Sequence, residues 1–383
     1  MASNYLQYIH SVSQKRSASP DCRLLVSGID SRVRQIVGQY LISSFHRQGK
    51  TLFLVDNTHD ATDFSFGLEG YRVIDVLSGG FNLCGDLFEV NSLGQISRLR
   101  TLLSGLGFDE TRAMKVVNYL SFVKETERRL GNPGILTIKV LEEYSGAMLV
   151  KWKLEQLVKK GELSQTNYEY LLGRYSEVSS SAADFDSFLI LLAPFLGAEM
   201  PGSDVAVHIP VGRFYSDAPM QQVMSKLLLS FLSAHSSACA VLILDEGRGE
   251  RAHLLDIVKG VPAMTEICML SNDAFSFEEL EVGVLMNSFP TRIYTRHEDM
   301  SSCEKIEKRC GQIDLVKQSS SVAFDRRIRG NSAWDMLFGT NRTDVAVRNA
   351  PTKEARFRKE LVHSLRLGTG IVDCGGNQVL FTF

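Results

Sequence analysis

Residues 240–246 read AVLILDE, five apolar residues running into two carboxylates, Asp245 and Glu246. A short unbroken apolar run of this kind reads as a strand buried on both faces, which is the habit of parallel sheets. Its acidic end would then lie at the C-terminal edge of the sheet, where open α/β folds bind their ligands. Two carboxylates there can hold a divalent cation and orient a water molecule. The competing reading is a strand that ends in a solvated acidic turn.

Working outward, the same alternation repeats on both sides. DVAVHI at 204–209 reads as a strand, 220–233 as an apolar-rich helix, and beyond the acidic end come helical and strand signals in turn: 254–258, 266–270, 277–280, 291–295 and 301–310. Near the start, RLLVS at 23–27 stops at Gly28. Val33, Ile36, Val37, Tyr40, Leu41 and Phe45 then recur at helical spacing as far as Gly49, and TLFLV follows at 51–55. Strand, glycine turn, amphipathic helix and strand make a βαβ unit, the building block of a parallel sheet. A further short strand is predicted at 71–76.

Between Leu87 and Leu196 the period changes to that of helices, broken at Gly131-Asn132-Pro133-Gly134, at Gly161 and at the serine run 176–181. The resulting division is a first α/β part at 1–86, an all-helical insertion at 87–200 and a second α/β part at 201–383. No solenoid repeat is visible.

Composition sets the limits. Over 383 residues, 42 Lys and Arg against 44 Asp and Glu give a net charge of -2, with 44% hydrophobic and 22% charged residues. That excludes collagen-like, disordered and polybasic classes, and DNA contact would need a local basic patch. No run of 18 uncharged apolar residues occurs and the first residues lack the order of a secretory signal, so the expected location is cytoplasmic. The seven cysteines, Cys22, Cys84, Cys239, Cys268, Cys303, Cys310 and Cys374, form no CxxC pair and read as buried free thiols. Cys303 and Cys310 share a helix face without a further ligand nearby.

A nucleotide reading of Asp245 and Glu246 requires a phosphate cradle at the first strand-to-helix turn, made from a Gly-rich loop with a Lys and a Ser or Thr. The turn here is Gly28-Ile29-Asp30-Ser31-Arg32-Val33-Arg34-Gln35. It keeps the first glycine. Val33 stands where the second would be and its Cβ is expected to crowd the turn, Arg34 replaces the lysine, and Gln35 replaces the hydroxyl. Asp30 places a negative charge where a triphosphate would lie.

In their order and spacing these segments resemble the FtsK-HerA superfamily of RecA-like motor ATPases, and within it the coupling ATPases of conjugation and type IV secretion. The likeness extends over the opening turn, the helical insertion, DVAVHIPVGRF, AVLILDEG, EICMLSND, MNSFPTRIYTRHEDMSSCEKIEKRCG and the tail FRKELVHSLRLGTGIVDCGGNQVLFTF, taken as a closing helix and strand pair. It implies a RecA-like P-loop NTPase sheet flanked by helices with an inserted all-α domain. It also implies a degenerate nucleotide site at Gly28, Asp30, Ser31, Arg34 and Gln35, with Asp245 as Mg2+ ligand and Glu246 as catalytic residue if the site is active, and Ser271 and Asn272 near the sensor position or in an ordinary strand-end turn.

The leading expectation is a pseudo-ATPase that serves as a structural or adaptor subunit of a bacterial secretion or DNA-transfer machine. It would need no cofactor, would partner other subunits and an effector or cargo protein, and would form homo- or hetero-oligomers, reaching the inner membrane through a partner because the family's membrane anchor is not seen. The rival is an active ATPase using ATP and Mg2+ through Arg34, Asp245 and Glu246. A third reading is DNA binding. Arg248 and Arg251 read as solvated loop arginines or as fingers toward a neighbouring subunit. Lys151-Trp152-Lys153 with Lys159-Lys160 reads as a solvated helix face or a nucleic-acid contact. The scattered histidines give no hydrolase or metalloprotease spacing.

Overall fold

The computed structural model describes residues 23–58, 68, 70–91, 95–197, 202–214, 217–246, 251–325, 342–374 and 377–383. The chain divides into two compact units, one of residues 1–296 with 366–383 and one of residues 297–365. This is a different division from the one read in the sequence, because the helical segment stays with the sheet.

The first unit is built on a nine-stranded sheet of order β11-β10-β7-β1-β6-β5-β2-β4-β3. Its strands are β1 (Arg23–Ser27), β2 (Thr51–Asn57), β3 (Arg72–Asp75), β4 (Val205–Ile209), β5 (Cys239–Asp245), β6 (Glu266–Ser271), β7 (Thr291–Tyr294), β10 (Thr369–Cys374) and β11 (Asn377–Thr382). All pairings are parallel except those of β10 with β7 and with β11, so the expected α/β class holds and the closing strand pair forms one edge. β6 lies between β1 and β5. The strand that ends in the glycine turn is thus separated from the one that ends in Asp245 by a single strand.

Side-chain alternation explains how both faces are covered. Leu52 and Leu54 of β2 join Leu24, Val26, Leu242 and Leu270 in one core, onto which the helix α1 (Ser31–Arg47) packs Val33, Val37, Leu41 and Phe45. Those four are residues of the helical stripe read from the sequence. Phe53, one position along β2, faces the other way and meets Phe81 at 5.8 Å and Phe231 at 5.3 Å between ring centroids. Phe231 belongs to the helix α8 (Ala218–His235), which Asp217 caps through the amide of Met220. The helix α9 (Ala252–Gly260) follows β5, and α10 (Glu279–Ser288) precedes β7. α10 starts later than 277 because Glu278 and Glu281 close a capping box at its first turn.

Among the described residues six α-helices run between β3 and β4: α2 (Ile96–Gly105), α3 (Glu110–Arg129), α4 (Ile138–Glu142), α5 (Ala147–Lys159), α6 (Gln165–Val178) and α7 (Ala182–Leu192). Asp109, Thr137 and Ser164 cap α3, α4 and α6, and Gly131 and Gly161 take positive φ just past helix ends, as the breaks in the sequence suggest. Their shared core is aromatic: the rings of Tyr119 and Phe185 lie 4.6 Å apart and those of Phe122 and Tyr175 5.6 Å apart. The stretch Gln165–Phe195 is long and apolar enough by composition to cross a membrane, yet it contributes Leu171, Tyr175, Phe185 and Phe188 to this core. Arg98 of α2 donates to the Ser230 carbonyl at 3.3 Å, tying the helices to α8.

The second unit holds α11 (Met300–Cys310), the antiparallel pair β8 (Gln312–Asp325) and β9 (Arg342–Ala355), and α12 (Lys359–His363). The sequence reading assigns no element to residues 312–355, so this hairpin is new. Cys303 and Cys310 do share the buried face of α11, beside Ile306. Cys84, Cys239, Cys268, Cys303 and Cys310 are buried free thiols and Cys374 is half-buried; burial pushes the Cys239 thiol up to about 12. Cys22 lies outside the described residues.

Candidate functional site

Parallel register brings polar strand ends into one row. Ser27 pairs with Ser271, Ser271 with Asp245, and Asp245 with Asn57, across four adjacent strands at the C-terminal edge. This is the edge at which the sequence placed its candidate residues.

The turn after β1 is short, since α1 begins at Ser31 and leaves three residues between strand and helix. Gly28 has φ 131°, and a Cβ there would stand 2.1 Å from Thr295 Oγ1 and 2.7 Å from the Arg296 carbonyl oxygen. Only glycine allows that approach. The turn's amides are used within the chain. Gly28 N–H donates to the Ser271 carbonyl (3.0 Å) and Ile29 N–H to the Arg296 carbonyl (2.9 Å). Asp30 is the N-cap of α1: its Oδ1 accepts from the amides of Arg32 (3.0 Å) and Val33 (3.3 Å), and its Oδ2 accepts from the amide of Gly368 (2.6 Å). The carboxylate is 1% exposed.

Val33 does not crowd this turn, contrary to expectation. Because the helix starts early, Val33 sits in its first turn and points into the core. Ser31 is exposed and Gln35 half-buried. Arg34 donates through Nη1 to Asn272 Oδ1, which joins the turn to the end of β6.

Asp245 is buried at the end of β5. Its Oδ1 accepts from Asn57 Nδ2 (3.2 Å), and its Oδ2 from Ser271 Oγ (2.6 Å) and from Arg251 Nη2. Arg251 is itself 6% exposed. It also donates to Ser276 Oγ (2.6 Å) and to the Asp273 carbonyl (3.1 Å), and its guanidinium lies 3.4 Å over the Phe277 ring. Neither reading of Arg251 made from the sequence holds, because it is neither solvated nor presented outward: it is the counter-ion of Asp245. Arg248 lies outside the described residues. Glu246 is half-buried and its carboxylate has no partner among the described residues.

Further along the edge, His208 Nε2 lies 3.1 Å from Asp56 Oδ2 and His208 Nδ1 3.5 Å from Asp75 Oδ2, with Arg213 Nη1 3.6 Å from the same Asp75 oxygen. Among the described residues no group of three or more His, Cys, Asp or Glu has the arrangement of a metal site. The structure therefore brings together Gly28, Asp30, Arg34, Asn272, Ser271 and Asp245, and leaves Ser31, Gln35 and Glu246 without a role in the network. Sequence reasoning missed Asn57, Thr295, Arg251 as a partner, and Gly368. Asn57 carried a signal, a polar residue after an apolar strand. Gly368 is 338 positions from Asp30 and carried none.

This edge and sheet belong to an α/β molecule in which Asp30, Arg34 and Asp245 are bonded to neighbouring groups of the chain itself. No family model and no curated protein matches the sequence. Among solved structures, the bacterial conjugative coupling protein TrwB lacking its first 70 residues is similar in fold at 11% identity, covering 98% of this chain and 90% of that one, with a TM-score of 0.48. TrwB in complex with ADP and Mg2+ gives 13% identity, 94% and 84% coverage, and 0.48. VirB4 of Thermoanaerobacter pseudethanolicus gives 14%, 97% and 91%, and 0.47.

Proposed function

We propose that the chain is a pseudo-ATPase relative of the conjugation and type IV secretion ATPases, working as a structural or adaptor subunit of such a machine. The observation that carries this reading is Asp30. In a phosphate-binding turn, free amides and the helix dipole face the anion. Here the Asp30 carboxylate takes two of those amides and that of Gly368. A phosphate entering at about 4 Å from that carboxylate would meet repulsion of about 4 kcal/mol per unit charge in a partly screened environment. Asp245 supports the same reading, since the buried Arg251 guanidinium already neutralises it and would repel a divalent cation brought to the same carboxylate.

On this reading no nucleotide or Mg2+ is needed. The partners are other subunits and an effector or cargo protein, within a homo- or hetero-oligomer, and the helical segment 87–200 is the recognition part. The location is cytoplasmic, at the inner membrane through a partner. The active-ATPase alternative draws on Glu246, a carboxylate left unengaged at the strand end. Calorimetric titration of Mg-ATP into the whole protein separates the two: no heat at millimolar nucleotide is expected, and steady turnover abolished by Glu246→Gln would refute the proposal.

A further inference from the structure

We propose that the free edge of β11 is the site at which a second copy of this chain pairs, strand to strand, about a two-fold axis. This rests on the homo-oligomeric part of the adaptor reading and names the surface that would serve it. β11 ends the strand order, with β10 on one side and no described strand on the other. In an antiparallel pair, successive residues turn their N–H and C=O groups alternately toward the partner strand and away from it. Phe383 N–H donates to the Gly368 carbonyl (2.7 Å), in the same register that sets Thr369 against Thr382, so Phe383, Phe381 and Val379 hold the inward positions. Gln378, Leu380 and Thr382 hold the outward ones. Thr369 N–H fits this phase, since it donates to the Arg366 carbonyl (3.0 Å) and not to Thr382. The main-chain groups of Leu380 and Thr382 have no hydrogen-bond partner among the described residues, and both residues are exposed. Such an edge is a template for another strand, and proteins blunt the edges they do not use with charge, proline or shortness. The opposite edge is blunted: β3 has four residues, with Arg72 at its start and Asp75 at its end. β11 has six, and residues 377–383, NQVLFTF, hold neither charge nor proline.

Register and charge select a second copy as the occupant. The outward positions are symmetric about Leu380, so an antiparallel copy set with Leu380 against its own counterpart brings Gln378 opposite Thr382 of the second copy and Thr382 opposite its Gln378. A closed two-fold contact needs a surface that complements itself in this way. The side chains match as well. On the face that packs Phe381 and Phe383 against the α1 core, Val379, 52% exposed, comes opposite Phe381 of the second copy. On the other face Leu380, 48% exposed, meets its counterpart. Apolar pairs directly across a ladder stabilise it, and like charges in the same place oppose it. A charged residue at the centre of a self-paired strand would face its own kind, so an edge free of charge is what this occupant requires. A charged strand from another protein is less well served, since it finds no opposite charge along 377–383. Six residues make an interface smaller than the standard of about 800 Å² per partner, so the dimer should be weak, with a dissociation constant of roughly 10–100 µM.

The test is sedimentation equilibrium of the whole protein up to about 300 µM, a concentration well above the expected dissociation constant. A reversible monomer–dimer equilibrium is expected. Leu380→Lys sets two ammonium groups face to face and should weaken it at least about tenfold, whereas Val73→Lys on the β3 edge should leave it unchanged. Both side chains are about half exposed, so thermal unfolding should change little with either substitution. Oxidation with diamide reads the register. Leu380→Cys should give a covalent dimer above the wild-type background, and Thr382→Cys should not, because its counterpart lies four positions along the second strand, about 13 Å away. A protein that stays monomeric throughout overturns the proposal. So does a dimer that Leu380→Lys leaves intact, or a Thr382→Cys crosslink that forms as readily as that of Leu380→Cys. Mg-ATP titration reads the turn after β1, so nucleotide binding would count against the pseudo-ATPase reading and leave this pairing standing, and a monomer would do the reverse.

Discussion

Asp245 and Arg251 stand six positions apart in the chain, and each neutralises a charge that neither could carry alone in the interior. Removing one partner of a buried pair leaves the other uncompensated, which costs about 3–5 kcal/mol. Arg251→Ala is therefore expected to lower the unfolding free energy by that amount in urea titrations, whereas Glu246→Gln should change it by less than about 0.5 kcal/mol. A solvated or outward-facing Arg251 would make the two substitutions equally mild. The local sequence marks Asp245 because it ends an apolar strand. It does not mark Arg251, whose position is fixed by its bonds to Ser271, Asp273 and Ser276 and by the aromatic shelf of Phe277.

At the scale of the element, the N-terminus of α1 depends on a single side chain. Asp30→Ala removes the cap of two amides and the acceptor of the Gly368 amide together. A lost cap costs about 1 kcal/mol, and a buried amide left without an acceptor about 1–3 kcal/mol. The variant should thus lose roughly 2–4 kcal/mol by chemical denaturation. Asp30→Asn keeps a capping oxygen, so a smaller loss is expected. The helix itself was legible, because its apolar stripe is a local signal; that Asp30 caps it came from the structure. That the same aspartate also holds the closing strand pair was not legible, since that bond joins the two ends of the chain.

For the molecule as a whole, the pH dependence of stability carries the mark of His253. Among the described residues its two ring nitrogens are buried without hydrogen-bond partners, and burial pushes its pKa down to about 4. The unfolded chain, with an ordinary histidine near 6.5, binds the proton first, so stability is full above about pH 6.5 and falls as the pH drops toward 4. The loss over that window is on the order of 3 kcal/mol, and a His253→Leu variant, compared by urea unfolding at several pH values, should lack this part of the slope. The strand and helix alternation, the acidic end at Asp245 and the helical segment were all determined by the sequence, because apolar periodicity and capping residues act within a turn or a strand. The strand order was decided only by the tertiary structure. So were the two-unit division, the hairpin of β8 and β9, and the engagement of Asp30 with Gly368 and of Asp245 with Asn57, Ser271 and Arg251. Such contacts arise from which distant strand ends are packed side by side, and no local pattern encodes that choice.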